Sequence, residues 1–242
     1  MSGLELNADL GESFGIYRHG DDQAVMAYVD SVNVACGFHG GDPSIMRHSV
    51  AAAARRGLRI GAHIGLNDRE GFGRRRIDIT PAQAYDSALY QIGALQAFLM
   101  AAGESLNHVK PHGALYMMAC EDTELAEAIV AASRRINPAL QIYGLPGSRL
   151  LEAADAAGMP TVPEYFADRP YAASEVQMFG WTPEQLGTPE DVADRVRHMR
   201  LNPNFASIAT VCVHSDTPGA PAIAAAVRAA ISQPSESLTS TK

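Results

Sequence analysis

Cys36, Cys120 and Cys212 are the only three cysteines in 242 residues. They are odd in number, widely spaced and outside any Cys-x-x-Cys pair, which excludes a disulfide framework and a zinc ribbon. Cys36 and Cys212 fall in apolar stretches, where a thiol is expected to pack as a small hydrophobe. No run approaches the roughly 20 apolar residues that cross a bilayer, so no membrane segment is expected. The N-terminus enters a strand pattern without a signal peptide, and the expected compartment is the cytoplasm. Positive charge is the scarcer sign, with 19 Lys and Arg against 27 Asp and Glu and a net charge of -8. Nucleic-acid binders need a basic face to neutralise phosphates, and the lone cluster Arg74-Arg75-Arg76 does not make one. A Gly-x-x-x-x-Gly-Lys-Ser/Thr phosphate loop is absent, and so is a His-Glu-x-x-His zinc helix. No Pro/Ser-rich linker or charge run divides the chain, so one domain over residues 1–232 is expected. The polar, aperiodic tail 233–242 is expected to be disordered.

Against these absences stand seven short apolar runs, each of which stops in polar residues. The run that ends Ala35-Cys36-Gly37-Phe38-His39-Gly40-Gly41-Asp42 is the most informative, because an apolar strand breaks into glycines that carry a His and an Asp. Leu4 to Leu10 closes on Asn7, Asp9 and Glu12. Arg59 to Gly65 closes on His63 and Asp68, and His108 to Gly113 carries Lys110 and His112. Gln141 to Leu145 runs into Pro146-Gly147-Ser148, Thr161 to Phe166 into Asp168 and Arg169, and Thr210 to Val213 into His214 and Asp216. Helical stretches separate these runs, which favours parallel strands with crossover helices. A closed barrel puts its chemistry at the C-terminal rim and an open sheet at the crevice beyond the strand ends. Either closure gathers these residues.

Thr80-Pro81-Ala82-Gln83 reads as a capping box with Pro at the first helical position, and Tyr85, Leu89, Ile92, Leu95 and Leu99 follow on one helical face. Thr182-Pro183-Glu184-Gln185 repeats that start signal. Asp122 is expected to cap a helix through Arg135, and Pro43 to start one through Arg56. Met26, Met46, Met100 and Met199 are expected in the core. His48 and His198 fall on helices, His19 in a loop and His108 at the start of a strand, all with structural or solvated readings.

The stretches Asn7-Ala8-Asp9-Leu10-Gly11-Glu12-Ser13-Phe14-Gly15, Ala35 to Pro43, Gly71-Phe72-Gly73-Arg74-Arg75, Tyr90 to Leu95, His108-Val109-Lys110-Pro111-His112-Gly113-Ala114-Leu115-Tyr116 and Phe166-Ala167-Asp168-Arg169 resemble the LamB/YcsF family. The resemblance runs in order from residue 4 to about 231. It implies a distorted seven-stranded parallel β/α barrel similar to that of polysaccharide deacetylases. It also implies the activity of the A-type component of bacterial ATP-dependent 5-oxoprolinase, which with two partner subunits (B and C type) opens the lactam of 5-oxoproline to glutamate. The chain departs from the family pattern at His63-Ile64-Gly65, at Glu175 to Trp181 and at His214-Ser215-Asp216. The altered segment Glu175 to Trp181 offers Phe179 and Trp181 as partner contacts, with barrel packing as their alternative. A homo-oligomer is left open.

Opening a lactam needs an activated nucleophile, a proton donor for the leaving nitrogen and charge stabilisation at the carbonyl oxygen. Asp9, His39, His63, Lys110 and His112 are the expected catalytic groups, lining one pocket. Burial in an apolar strand is expected to lower the Lys110 pKa, and its replacement is expected to leave stability nearly unchanged. Asn7, Asp42, Arg74, Asp168, Arg169 and His214 are the expected substrate binders. Turn capping is the alternative for Asn7 and Asp42, and for Arg74 and Arg75 a surface pairing with Asp68 or Glu70. The kinship with deacetylases leaves open a metal on Asp9, His39 and His63. ATP, without a phosphate loop here, is expected on the partner subunits. Two other classes stay open: a self-sufficient metal-assisted deacetylase or amidohydrolase, and a non-catalytic scaffold.

Overall fold

The computed structural model describes residues 4–233. Seven parallel strands close into a barrel in the order β1 (Glu5–Leu10), β2 (Ser31–Ala35), β3 (Arg59–Ile64), β4 (Leu106–Pro111), β5 (Gln141–Gly144), β6 (Thr161–Phe166) and β9 (Thr210–His214), with β9 returning to β1. The family's distorted seven-stranded barrel is therefore the observed fold. Its distortion is local: the register slips between Ile60 and Gly61, and β5 pairs with β4 through only His108–Gln141 and Val109–Ile142. A short antiparallel hairpin of β7 (Tyr171–Ala172) and β8 (Glu175–Val176) stands outside the barrel.

Around the strands run α1 (Asp22–Val25), α2 (Pro43–Ala54), α3 (Pro81–Ala102), α4 (Gly113–Glu121), α5 (Thr123–Ile136), α6 (Arg149–Ala156), α7 (Pro183–Leu186), α8 (Pro189–Leu201) and α9 (Ala220–Ser232). No helix among the described residues is long and apolar enough to cross a membrane. The expected starts are present. Thr80 and Gln83 form the capping box of α3, Asp42 caps α2 and Asp122 caps α5. The box at Thr182 opens only the four residues of α7, which end at Gly187, and a second box at Thr188 starts α8. Met26, Met46 and Met199 are buried as expected, but Met100 is 70% exposed. It follows Leu99 on α3 by one residue, a turn of about 100° that carries it off the buried face. The expected disordered tail lies, from residue 234, outside the described residues.

Period-two alternation assigns the two faces of each strand. Leu6, Ala8, Leu10, Val32, Val34, Ile60, Ala62, Val109, Val211 and Val213 belong to the apolar core that packs with the helices. Most of their neighbours in sequence are polar, and Asn7, Asp9, Asn33, His63, His108 and Lys110 among them meet inside the barrel. At the bottom, Glu5 accepts from Ser31 and from the Tyr143 hydroxyl at 3.0 Å. Above it, Asn33 Nδ2 donates to Asn7 Oδ1 at 2.8 Å, while His108 Nε2 meets Asn33 Oδ1 at 2.6 Å. The next layer contains Asp9, Lys110 and His63, and the strand ends carry the rest.

Candidate active site

Lys110 occupies the axis with its ammonium 3.0 Å from Asp9 Oδ1, 3.0 Å from Glu164 Oε1 and 3.0 Å from Cys212 Sγ. Burial by itself would depress the ammonium, but Asp9, Cys212 and Glu164 together hold it well above the usual lysine range. The expected lowering is thereby reversed, because desolvation acts alone only where no carboxylate faces the amine. Asp9 is the complementary case. Burial would raise its carboxyl, and the facing His63, Lys110 and His214 hold it well below the usual range instead. Lys110 is thus a fixed counterion that keeps Asp9 ionised. Cys212 packs against Tyr116 and Phe166 as expected of an apolar thiol, and alternation also turns its Sγ against the Lys110 ammonium.

Asp9 connects two histidine systems. Its Oδ2 lies 3.2 Å from His63 Nε2 and 3.4 Å from His214 Nε2. His214 is held from behind by Asp168, whose Oδ1 meets Nδ1 at 2.9 Å and whose Oδ2 accepts from the His214 amide and from the Thr217 hydroxyl. Arg169 lies 3.2 Å from the same carboxylate and stacks over Trp181. Against the upward push of burial, Arg169 and His214 keep the Asp168 carboxyl below the usual range. This is the arrangement that fixes an imidazole's tautomer and orientation.

On the other side, His63, His112, His39 and Glu12 converge. His112 Nδ1 is 3.0 Å from His63 Nε2, and Glu12 Oε1 is 3.2 Å from His39 Nε2 and 3.4 Å from His112 Nδ1. His39 and His112 stack with centroids 3.7 Å apart. All four side chains are buried. The loop after β3 covers them. Gln91 clasps both backbone groups of Gly65, Asp68 accepts from the Gly71 amide and pairs with Arg75, and Phe72 and Gly73 are laid across the imidazoles. Gly73 has φ +64, and a Cβ there would come within 2.7 Å of His39 Cβ and 2.9 Å of His112 Cδ2. Only glycine permits that turn at that distance.

Asp9, His39, His63, Lys110 and His112 therefore meet in one connected cluster, as the strand ends suggested. Of the expected metal ligands, His39 and His63 stand together with Glu12 and His112 in one group of possible ligand atoms, and Asp9 reaches that group through His63 Nε2 at 3.2 Å. Asn7 lies deeper, tied to Glu164, Thr210 and Val211. Asp42 stays outside the cluster, where it caps α2 and accepts from the Gly15 amide at 2.8 Å. Arg74 reaches the mouth but is paired with Asp216 at 2.6 Å, beside His19, and Arg75 is taken by Asp68. Trp181 is half-buried on Arg169 while Phe179 is exposed. Glu12, Glu164, Cys212 and Thr217 were absent from the expected site. Glu12 stands just past the end of β1, and period two places Glu164 and Cys212 on the inner faces of their strands.

The family model described as LamB/YcsF matches residues 4–242. Among curated relatives, the 5-oxoprolinase A-type subunit of Tolumonas auensis is 44% identical over 243 residues, 96% of this chain and 97% of that one. The corresponding 5-oxoprolinase subunit of Bacillus subtilis is 45% identical over 226 residues, 89% of this chain and 88% of that one. The solved lactam utilization protein of Thermus thermophilus has a TM-score of 0.86 and 40% identity, covering 95% of this chain and 96% of its own.

Proposed function

The chain belongs to the LamB/YcsF family, and from that premise we propose that it is the lactam-opening subunit of a 5-oxoprolinase-type hydrolase. The observation that carries the reading is the union of Asp9, Glu12, His39, His63 and His112 at the C-terminal rim of the barrel, in a chain whose relatives are named as 5-oxoprolinase subunits of the A type and match it over nearly their whole length. The substrate is 5-oxoproline or a closely related lactam, and the product of ring opening is glutamate. Asp9 takes up the proton of the attacking nucleophile, and the His214–Asp168 pair returns one to the leaving nitrogen. Lys110 keeps Asp9 ionised through the cycle.

The name of the relatives implies partner subunits, which we take to be of the B and C type. They would bind the ATP, since the chain lacks a phosphate-cradling loop. A need for ATP supports a cytoplasmic complex. The exposed Phe179 and half-buried Trp181 are offered as partner contacts. The self-sufficient deacetylase reading is less favoured, because these relatives are named as subunits of a larger enzyme. A scaffold would have no use for five buried titratable groups brought together.

The test is glutamate release from 5-oxoproline, with the chain alone and with B- and C-type subunits, in the presence and absence of ATP. The expected result is release only in the full mixture with ATP, abolished by Asp9→Asn. ATP-independent hydrolysis by the chain alone would move the protein to the self-sufficient class.

A further inference from the structure

We propose that Glu12, His39, His63 and His112 hold one divalent transition-metal ion. The argument begins with the outward-facing nitrogens. His63 Nδ1 faces the carbonyl oxygen of Lys110 at 3.1 Å, and His112 Nε2 faces that of Phe72 at 2.8 Å. A carbonyl only accepts, so both nitrogens carry the proton. A neutral imidazole has one N–H and one lone pair, and in that form His63 Nε2 and His112 Nδ1 are bare. Yet these two lone pairs face each other at 3.0 Å, with Asp9 Oδ2 at 3.2 Å and Glu12 Oε1 at 3.8 Å from His63 Nε2. Acceptors crowd against acceptors at the centre, in a place closed to water by burial. A cation resolves that conflict.

The dimensions select the kind of cation. A tetrahedral ion with ligands at about 2.0–2.1 Å separates them by about 3.4 Å. Glu12 Oε1 lies 3.2 Å from His39, 3.4 Å from His112 and 3.8 Å from His63, the His63 and His112 nitrogens are 3.0 Å apart, and all four donor atoms lie within 4.8 Å of one another. Three imidazoles and a carboxylate suit zinc, cobalt, iron or nickel, whereas calcium and magnesium favour oxygen ligands. Backbone carbonyls that fix the tautomers of His63 and His112 are the outer supports such a site requires. The parallel rings of His39 and His112 must splay slightly for their lone pairs to converge on one centre. Binding of the ion stands independently of the substrate. Its use, as the charge that faces the developing oxyanion of lactam opening, rests on the proposed function above.

Metal content of the purified full chain, by plasma mass spectrometry before and after dialysis against a strong chelator, tests this directly. The stripped chain is then titrated with Co²⁺ and followed by the visible bands of a low-coordinate cobalt centre. The expected result is saturation at roughly one ion per chain and a rise in Tm with added Zn²⁺. Glu12→Gln and His112→Gln should each weaken cobalt binding by about tenfold to a hundredfold, while His214→Gln leaves the spectrum unchanged. A stripped wild-type chain that takes up neither Co²⁺ nor Zn²⁺ overturns the proposal without reference to any variant, as does cobalt binding that both ligand variants retain. Full glutamate release by a metal-free complex overturns the use of the ion in lactam opening. A metal-loaded chain that releases no glutamate with its partner subunits supports the ion site and removes the lactam substrate.

Discussion

Lys110→Met is the most severe single test of the barrel axis. The substitution keeps most of the unbranched side chain and removes the ammonium that stands 3.0 Å from both Asp9 and Glu164, in a place where all three side chains are at most 2% exposed. Breaking a buried ion pair from one side costs about 3–5 kcal/mol, because the other charge is left without compensation. Two features of the site put the loss near the lower figure. Burial already holds the Glu164 carboxyl above its usual range despite the pull of Lys110, so it takes up a proton once the ammonium is gone. Asp9 keeps His63 and His214 beside it. At about 2–4 °C per kcal/mol for a chain of this size, a loss of about 3 kcal/mol lowers Tm by about 6–12 °C. The raised Lys110 pKa means that its stabilisation is complete below the ordinary lysine value and is lost only as pH rises through the folded one. Circular-dichroism melts at neutral pH therefore read all of it. The double variant Lys110→Met/Glu164→Gln should recover at least about 1 kcal/mol relative to the sum of the single losses. A single variant that melts within about 1 °C of wild type, or a double variant with no coupling, would refute the account of Lys110 as a counterion.

His108 offers a pH test away from the rim. Burial first, then Lys110 and Arg59, push its imidazole down to about 3. Below the ordinary histidine value the unfolded chain binds a proton that the folded chain refuses, so stability is full above about pH 6.5 and falls toward pH 3 at about 1.4 kcal/mol per unit. His108→Gln should remove that slope from urea midpoints measured at about pH 7, 6 and 5, and identical slopes in the two proteins would show that His108 is not the group responsible. Asp168→Asn keeps the shape of the side chain but no longer dictates the tautomer of His214, whose Nδ1 it meets at 2.9 Å. Glutamate release by the assembled complex should drop by about a hundredfold or more with complex formation on size exclusion unchanged; turnover within about twofold of wild type would make the pair purely structural.

Features governed by neighbours in sequence were legible without coordinates. The capping boxes at Thr80 and Thr182 formed because their hydrogen bonds span three residues, and the strand ends converged because parallel β/α closure leaves them no other place. Inward-facing His108 and Lys110 followed from period two. What crosses the barrel was not legible. The sign of the Lys110 shift depends on Asp9, Cys212 and Glu164, which lie 101, 102 and 54 residues away in sequence. Whether Asp42 binds or caps depended on which amides reached it, and Gly15 and Ile45 did. Glu12 stood in plain view as a strand-end carboxylate, but only folding brought it against three imidazoles from three other strand ends. Hydrogen bonds of fixed span are written into the order of residues, whereas the electrostatics of a buried group are set by the charges around it in space, and those are chosen by barrel closure.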